Sequence, residues 1–113
     1  MEFEINNSRW KIKEISREEM DYENGKDGYY THGYTCYSKN IIFINRTSKE
    51  KERTLKHELT HVWLYMYGHN QDERHFNNED VCEIVASSND FINSIVKAYF
   101  NKGILDWWKD LMN

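Results

Sequence analysis

The segment 55–66 has the most regular apolar pattern in this chain of 113 residues, and it restricts the fold more than any other feature. Apolar residues recur there at spacings of four, three and four: Leu55, Leu59, Val62 and Met66. This spacing places them on one face of an α-helix, and one apolar face requires a core to pack against. The pattern therefore predicts an amphipathic helix in the middle of the chain.

Residues on either side of this segment predict where the helix begins and ends. Thr47 is followed three residues later by Glu50, which is the spacing of a capping box. Gly68 suits a left-handed residue just after the last turn. We therefore expect the helix to run from about residue 48 to about residue 67.

The first half of the chain favours short strands. Residues 9–15 alternate apolar and polar, which is typical of a half-buried strand. The runs Tyr34–Tyr37 and Ile41–Ile44 are rich in β-formers and are separated by a short polar turn. The polar, glycine-containing stretch 21–32 is interpreted as a loop.

The second half favours another helix. Asn77 or Asn78 is a candidate N-cap, and acidic residues follow it in the first turn, where the helix dipole favours them. The predicted helix continues to about residue 100 with these apolar residues: Val81, Val85, Ile92, Ile95 and Tyr99. The tail 103–113 is expected to form a short amphipathic turn or helix that packs Trp107 or Trp108 on the domain.

The order of these elements predicts an α+β fold, in which a small mixed or antiparallel sheet packs on the helices. The length favours a single domain over residues 1–113. Cys36 and Cys82 are read as small buried hydrophobes, since a reducing compartment disfavours a disulfide.

Composition excludes several functional classes. The net charge is −4, and no run of Lys and Arg indicates a nucleic-acid partner. No stretch approaches the roughly 20 apolar residues of a membrane span. The first residues, MEFEINNSRW, are acidic and polar rather than typical of a signal peptide, so we expect a cytoplasmic protein.

The motif HELTH, residues 57–61, lies inside the predicted central helix. His57 and His61 are four residues apart, so both imidazoles lie on one face and can reach one ion. Zinc favours such nitrogen ligands. Glu58 projects about 100° away round the helix, which suits a base that acts on zinc-bound water.

A catalytic zinc site usually has a third protein ligand. Glu79 and Glu83 are one turn apart on the second helix, and His69, Asp72 and His75 in the connecting segment are rivals. The small residues Cys82 and Ala86 share the face of the two glutamates. Small side chains there predict a close approach of the two helices at a shared metal site.

The combination of TLKHELTH with NEDVCEIVASSNDFI resembles the ImmA/IrrE-type metallo-endopeptidases, compact gluzincins of bacteria, mobile elements and phages. The resemblance covers roughly residues 33–92 and includes the G-x-T-x-Y run at Gly33–Tyr37. It implies a minimal zincin-like metallopeptidase domain with the ligands His57, His61 and Glu79 and the general base Glu58. The second motif departs from the family pattern E-x-x-A-N-x-F-A at three positions: Cys82, Glu83 and Val85.

The resemblance implies a zinc-dependent hydrolase that cleaves a specific protein or peptide, such as a transcriptional repressor. An extended substrate is expected to pair with Ile41–Ile44 or a neighbouring strand. The candidate donors to the reaction's oxyanion are Tyr34, Tyr65, Tyr67 and His75. The alternative is a zinc-containing protein-binding module or an inactive protease-like regulator of a phage or mobile element.

Overall fold

The computed structural model describes residues 1–25, 29–68 and 75–101. These residues contain four strands and three helices, in chain order: β1 (Glu2–Ile5), β2 (Ser8–Ile15), α1 (Arg17–Asn24), β3 (Gly33–Cys36), β4 (Ile41–Asn45), α2 (Lys51–Met66) and α3 (Asn78–Phe100). The α+β expectation is confirmed. The arrangement is compatible with a zincin-like fold.

The described strands form one mixed sheet in the order β1-β2-β4-β3. The pairs β1–β2 and β3–β4 are antiparallel, whereas β2 and β4 run parallel. Strand β4 therefore lies inside the sheet, and β3 forms one of its edges. This order makes the expected pairing of a substrate with Ile41–Ile44 wrong, because β2 and β3 already occupy both sides of that strand.

Strand β1 was not predicted from the sequence. It is joined to β2 by Asn6 and Asn7, whose φ angles are 46° and 65°. Two successive residues with positive φ make the tight turn that suits a two-residue β-hairpin, and asparagine tolerates this conformation. The buried side chains of Phe3 and Ile5 attach the strand to the core.

Helix α1 corrects the prediction of a loop over 21–32, of which residues 26–28 lie outside the described residues. Ser16 is the N-cap, and its hydroxyl accepts a hydrogen bond from the backbone N–H of Glu19. Gly25 ends the helix with φ of 65°. Met20 is completely buried and holds the helix on the sheet beside Phe43.

Helix α2 presents the expected apolar stripe to the core. Leu55, Leu59 and Val62 are fully buried, and Met66 packs against the same cluster. The predicted capping box at Thr47 is wrong: the N-cap is Glu50, with no side-chain cap, and the Thr47 hydroxyl instead donates to Asn45 Oδ1 over 2.8 Å. Gly68 has φ of 74°, as predicted.

Helix α3 begins at the first of the two predicted N-caps. Asn77 accepts from the N–H of Asp80, and the Asp80 carboxylate accepts from the N–H of Asn77. The buried face lies further along the helix than predicted, at Ser88, Ile92 and Val96. Val81 and Val85 are 50% and 56% exposed, so they do not belong to the core of the described structure.

The prediction of buried small residues in the first turns of α3 is also wrong. Cys82 and Ala86 are exposed, whereas Cys36 is buried as expected. Helix α3 packs on α2 and the sheet through its later turns, where Ile92 and Val96 join the main core. The predicted tail 103–113, with Trp107 and Trp108, lies outside the described residues.

The sheet carries helices on both faces, and this arrangement decides which strand residues meet α2. One cluster contains Leu55 and Leu59 of α2 together with alternate residues of the strands. A second, smaller cluster contains Met20 of α1 and Cys36 of β3. Because side chains alternate along a strand, Thr35 faces α2 while its neighbours face α1. No helix among the described residues is both long and apolar enough to span a membrane.

Candidate active site

His57 and His61 meet on the surface of α2. Their Nε2 atoms lie 3.2 Å apart. Two nitrogens on a tetrahedral zinc, each at about 2.0–2.1 Å, would be separated by about 3.3–3.4 Å. The pair therefore fits two positions of a zinc coordination sphere with little movement.

Glu58 lies next to this pair, and its surroundings differ from those of the histidines. Glu58 is only 6% exposed, although it borders an open groove. One carboxylate oxygen, Oε2, accepts a hydrogen bond of 2.7 Å from the hydroxyl of Thr35. A buried carboxylate requires such a partner, because an unsatisfied acceptor is costly to bury.

A close approach of β3 to α2 makes this contact possible. A Cβ atom on Gly33 would lie 3.1 Å from Cγ of Glu58 and 3.3 Å from the carbonyl oxygen of Phe43. Both distances are shorter than an ordinary van der Waals contact. Gly33 therefore allows the edge strand to lie directly against the helix that carries the motif.

The groove has a volume of about 450 Å³ and connects the motif with the segment that precedes β3. Its wall includes His57 and Glu58 on one side and Tyr30, His32 and Gly33 on the other. The ring of His32 contacts Tyr30 edge-on at 4.8 Å, and its Nδ1 lies 2.7 Å from the hydroxyl of Ser48. The position of Tyr30 and His32 was missed from the sequence, since both fall in the stretch that was interpreted as a loop.

Buried Asn45 holds together the two segments that lead into this groove. Its Nδ2 donates to the carbonyl of Thr31 over 3.0 Å. Its Oδ1 accepts from the N–H of Thr47 over 3.1 Å, in addition to the hydroxyl bond described above. One side chain thus joins the start of β3 to the start of α2.

The predicted third ligand is not part of a cluster in the described structure. Within residues 1–25, 29–68 and 75–101, no group of three His, Cys, Asp or Glu side chains is arranged to hold a metal. Glu79 and Glu83 are both exposed on the first turns of α3, and His75 precedes that helix. His69 and Asp72 lie outside the described residues. The assignment of Glu79 therefore stays a prediction.

The four candidate oxyanion donors differ in position. Tyr34 is stacked on Phe43 in the cluster around α1, on the other side of the sheet from Glu58, so it is not a candidate. Tyr65 lies on α2, one turn after His61, and its ring packs against Tyr37. Tyr67 and His75 are exposed, and neither borders the groove at Glu58.

Two convergent imidazoles beside a buried carboxylate on one helix are the arrangement that the sequence predicted for a metallopeptidase. The comparison with protein families agrees with this class: the model of the IrrE N-terminal-like domain, Peptidase M78, matches residues 14–94. The chain belongs to this family, as the sequence resemblance predicted. Nothing matches the chain among curated proteins or among solved structures.

Proposed function

We propose that this protein is a zinc-dependent metallo-endopeptidase that cleaves a specific protein, such as a transcriptional repressor. The observation that carries the proposal is the convergence of His57 and His61 beside Glu58, at the side of a groove. The family supports the general class of peptidase-type hydrolase. The zinc, the substrate and the residue roles below belong to the proposal.

His57 and His61 supply two ligands, and Glu79 supplies the third. The histidine nitrogens have a separation that suits zinc. The sequence resemblance assigns the carboxylate to Glu79, and Glu83 is its rival. Zinc, when bound, provides Lewis-acid chemistry, since it polarises a carbonyl group and makes water more acidic.

Glu58 acts as the general base and then as the general acid. Its Oε2 accepts a hydrogen bond from the hydroxyl of Thr35, and its Oε1 has no hydrogen-bond partner among the described residues. Because Glu58 borders the groove, Oε1 is the oxygen available to a water molecule near the scissile carbonyl. It accepts the proton from that water and passes it to the leaving amine.

Among the described strands β3 pairs only with β4, and its other edge provides a main-chain surface for the substrate. The N–H of Asn45 donates to the carbonyl of His32 over 2.8 Å, so His32 faces β4. Alternate residues of an antiparallel strand turn their N–H and C=O groups to the same side. Gly33 and Thr35 therefore direct theirs away from β4. Thr35 is buried, so Gly33, at the start of the strand, is the residue at which an extended peptide can pair by strand addition.

The decisive experiment combines metal analysis with a Glu58→Gln variant. The wild-type protein should bind one zinc per chain and cleave a repressor, detected by mass spectrometry after incubation with repressors of host or phage origin. E58Q should keep the zinc and lose cleavage by at least about 100-fold. The matched control is Glu52→Gln, an exposed glutamate of the same helix that pairs with Lys56; this variant should cleave normally.

The same experiment tests the alternative of a binding module. If the wild-type protein and E58Q bind a repressor equally and neither cleaves it, the protein is a zinc-containing binding module or an inactive regulator. If E58Q cleaves as fast as wild type, Glu58 is not the base.

A further inference from the structure

Thr35 is connected to the proposed reaction through its side chain. The residue is 5% exposed, and its side chain faces α2, where the hydroxyl donates to Glu58. By the pairing register of β3 with β4, its neighbours Tyr34 and Cys36 turn their side chains to the opposite face of the sheet. The hydroxyl of Thr35 therefore lies on the face of the sheet that carries the proposed base.

The hydroxyl determines which oxygen of Glu58 is free. A glutamate side chain has several rotatable bonds, and it loses much of that freedom when one oxygen is bonded and the rest is buried. With Oε2 bound to Thr35, Oε1 is the oxygen left for the groove. A base must lie within hydrogen-bond reach of the proton that it removes, so a defined position for Oε1 favours the reaction.

We propose that Thr35 is a positioning residue that holds the Glu58 carboxylate in its reactive orientation. This inference rests on the proposed function. The hydrogen bond of 2.7 Å from the Thr35 hydroxyl restrains one carboxylate oxygen, and the burial of both residues limits the other conformations of the glutamate side chain.

Two variants separate this role from simple packing. Thr35→Val keeps the shape of the buried side chain but removes the donor, whereas Thr35→Ser keeps the donor and removes a methyl group. The measurements use the full chain loaded with zinc and one fluorescence-quenched peptide, selected from a random library because the wild-type protein cleaves it. T35V should lower kcat by about 10- to 100-fold, with KM and zinc affinity within about twofold of wild type, and T35S should stay within about threefold.

A second measurement does not depend on activity. In the metal-free protein, the carboxylate carbon of Glu58 should change its chemical shift in T35V and keep the wild-type value in T35S. This result would identify the hydroxyl as the group that sets the environment of the carboxylate.

Three outcomes would overturn the role of Thr35. The first is a T35V variant with wild-type kcat. The second is an equal loss of kcat in T35V and T35S, which would indicate packing. The third is an unchanged Glu58 signal in T35V. Failure of the proposed function looks different, because the wild-type protein itself would then bind no zinc or cleave no peptide.

Discussion

A Cβ atom on Gly33 would lie 2.5 Å from Cγ2 of Thr54. Real Cβ atoms do not approach other carbon atoms so closely, so β3 and α2 pack at a distance that only glycine permits at this position. The contact between Thr35 and Glu58 depends on the same short distance. The edge strand and the motif helix therefore form one unit.

The first prediction concerns this packing. Gly33→Ala should lower the free energy of unfolding by about 1–3 kcal/mol, because the added methyl group forces β3 and α2 apart. It should also lower cleavage activity, since Glu58 shifts with the helix. Urea denaturation and peptide cleavage measure the two effects.

The second-site change Thr54→Ser provides the control for this prediction, because it removes Cγ2. The double variant G33A/T54S should recover part of the lost stability. If G33A alone is as stable as wild type, the close approach of β3 to α2 is not as tight as described.

The second prediction concerns the third zinc ligand. Glu79→Ala should weaken zinc binding by at least about 100-fold. Residues that only hydrogen-bond to a metal ligand already contribute about 10–100-fold to metal affinity, and a direct ligand should contribute more. Glu83→Ala, one turn later on the same exposed face, is the matched control and should bind zinc normally. Competition with a chelating dye measures both affinities. The reverse result would assign the ligand to Glu83.

The third prediction concerns Asn45. It is fully buried, and its side chain makes three hydrogen bonds to Thr31 and Thr47. Asn45→Ala should lower the free energy of unfolding by about 2–4 kcal/mol, because it leaves several polar groups without partners.

The matched control is Asn93→Ala, since Asn93 is exposed and bonds only to Asn89 among the described residues. Its effect should stay below about 0.5 kcal/mol. Equal effects of the two variants in urea denaturation would contradict the role of Asn45 at the start of the groove.

The fourth prediction concerns the pH dependence of stability. Burial acts to raise the pKa of Glu14. Hydrogen bonds from Lys51 and Tyr99 and the charges of Lys51 and Arg46 act in the opposite direction and are stronger together, so this pKa is lowered. The unfolded chain then binds a proton more readily than the folded protein. The stabilisation by Glu14 is present above the ordinary pKa of about 4.3 and is lost as the pH falls through the lower value of the folded state.

Tyr99→Phe tests this linkage. Burial and the neighbouring Glu14 carboxylate raise the pKa of Tyr99, so the phenol remains a donor at neutral pH. Y99F should lower the free energy of unfolding by about 1 kcal/mol at pH 7. The decrease should be smaller at acidic pH, because the hydrogen bond to Glu14 is already weakened there. Tyr22→Phe is the control, since Tyr22 is 86% exposed. An equal decrease in the free energy of unfolding of Y99F at both pH values would contradict the linkage to Glu14.

The fifth prediction concerns the substrate edge. N-methyl groups placed one at a time along a cleaved peptide should block cleavage where the methylated amide faces β3 and be tolerated at the neighbouring positions, because only every second amide of an extended strand faces β3. Cleavage rates of the methylated series measure this. A uniform loss at all positions, or no loss at any, would contradict strand addition.

Local signals in the sequence predicted much of the fold. The apolar spacing around Leu59 predicted α2, and Asn77 predicted the start of α3. Helix α1 could have been predicted as well, because Ser16 and Glu19 have capping-box spacing and Gly25 follows at the helix end. The polar composition of the following stretch obscured that signal.

Other features depend on contacts between distant residues. Thr47 and Glu50 have the spacing of a capping box, yet the Thr47 hydroxyl donates to buried Asn45 instead of capping the helix. The hydrogen bond between Thr35 and Glu58 joins residues 23 positions apart, and no local sequence pattern predicts it. The roles of His57, Glu58, His61 and Glu79 stay predictions until metal binding and cleavage are measured.

The shortness of β3 limits what main-chain pairing alone could contribute to the binding of a substrate. Of the two residues that direct their main chain away from β4, Thr35 is buried, which leaves the N–H and C=O of Gly33. At about 1 kcal/mol for each net hydrogen bond, two bonds amount to about 2 kcal/mol, less than the roughly 4 kcal/mol of a millimolar Kd. If the protein cleaves peptides as proposed, short fragments should leave this edge quickly, and tight association with an intact protein has to come from surfaces beyond it.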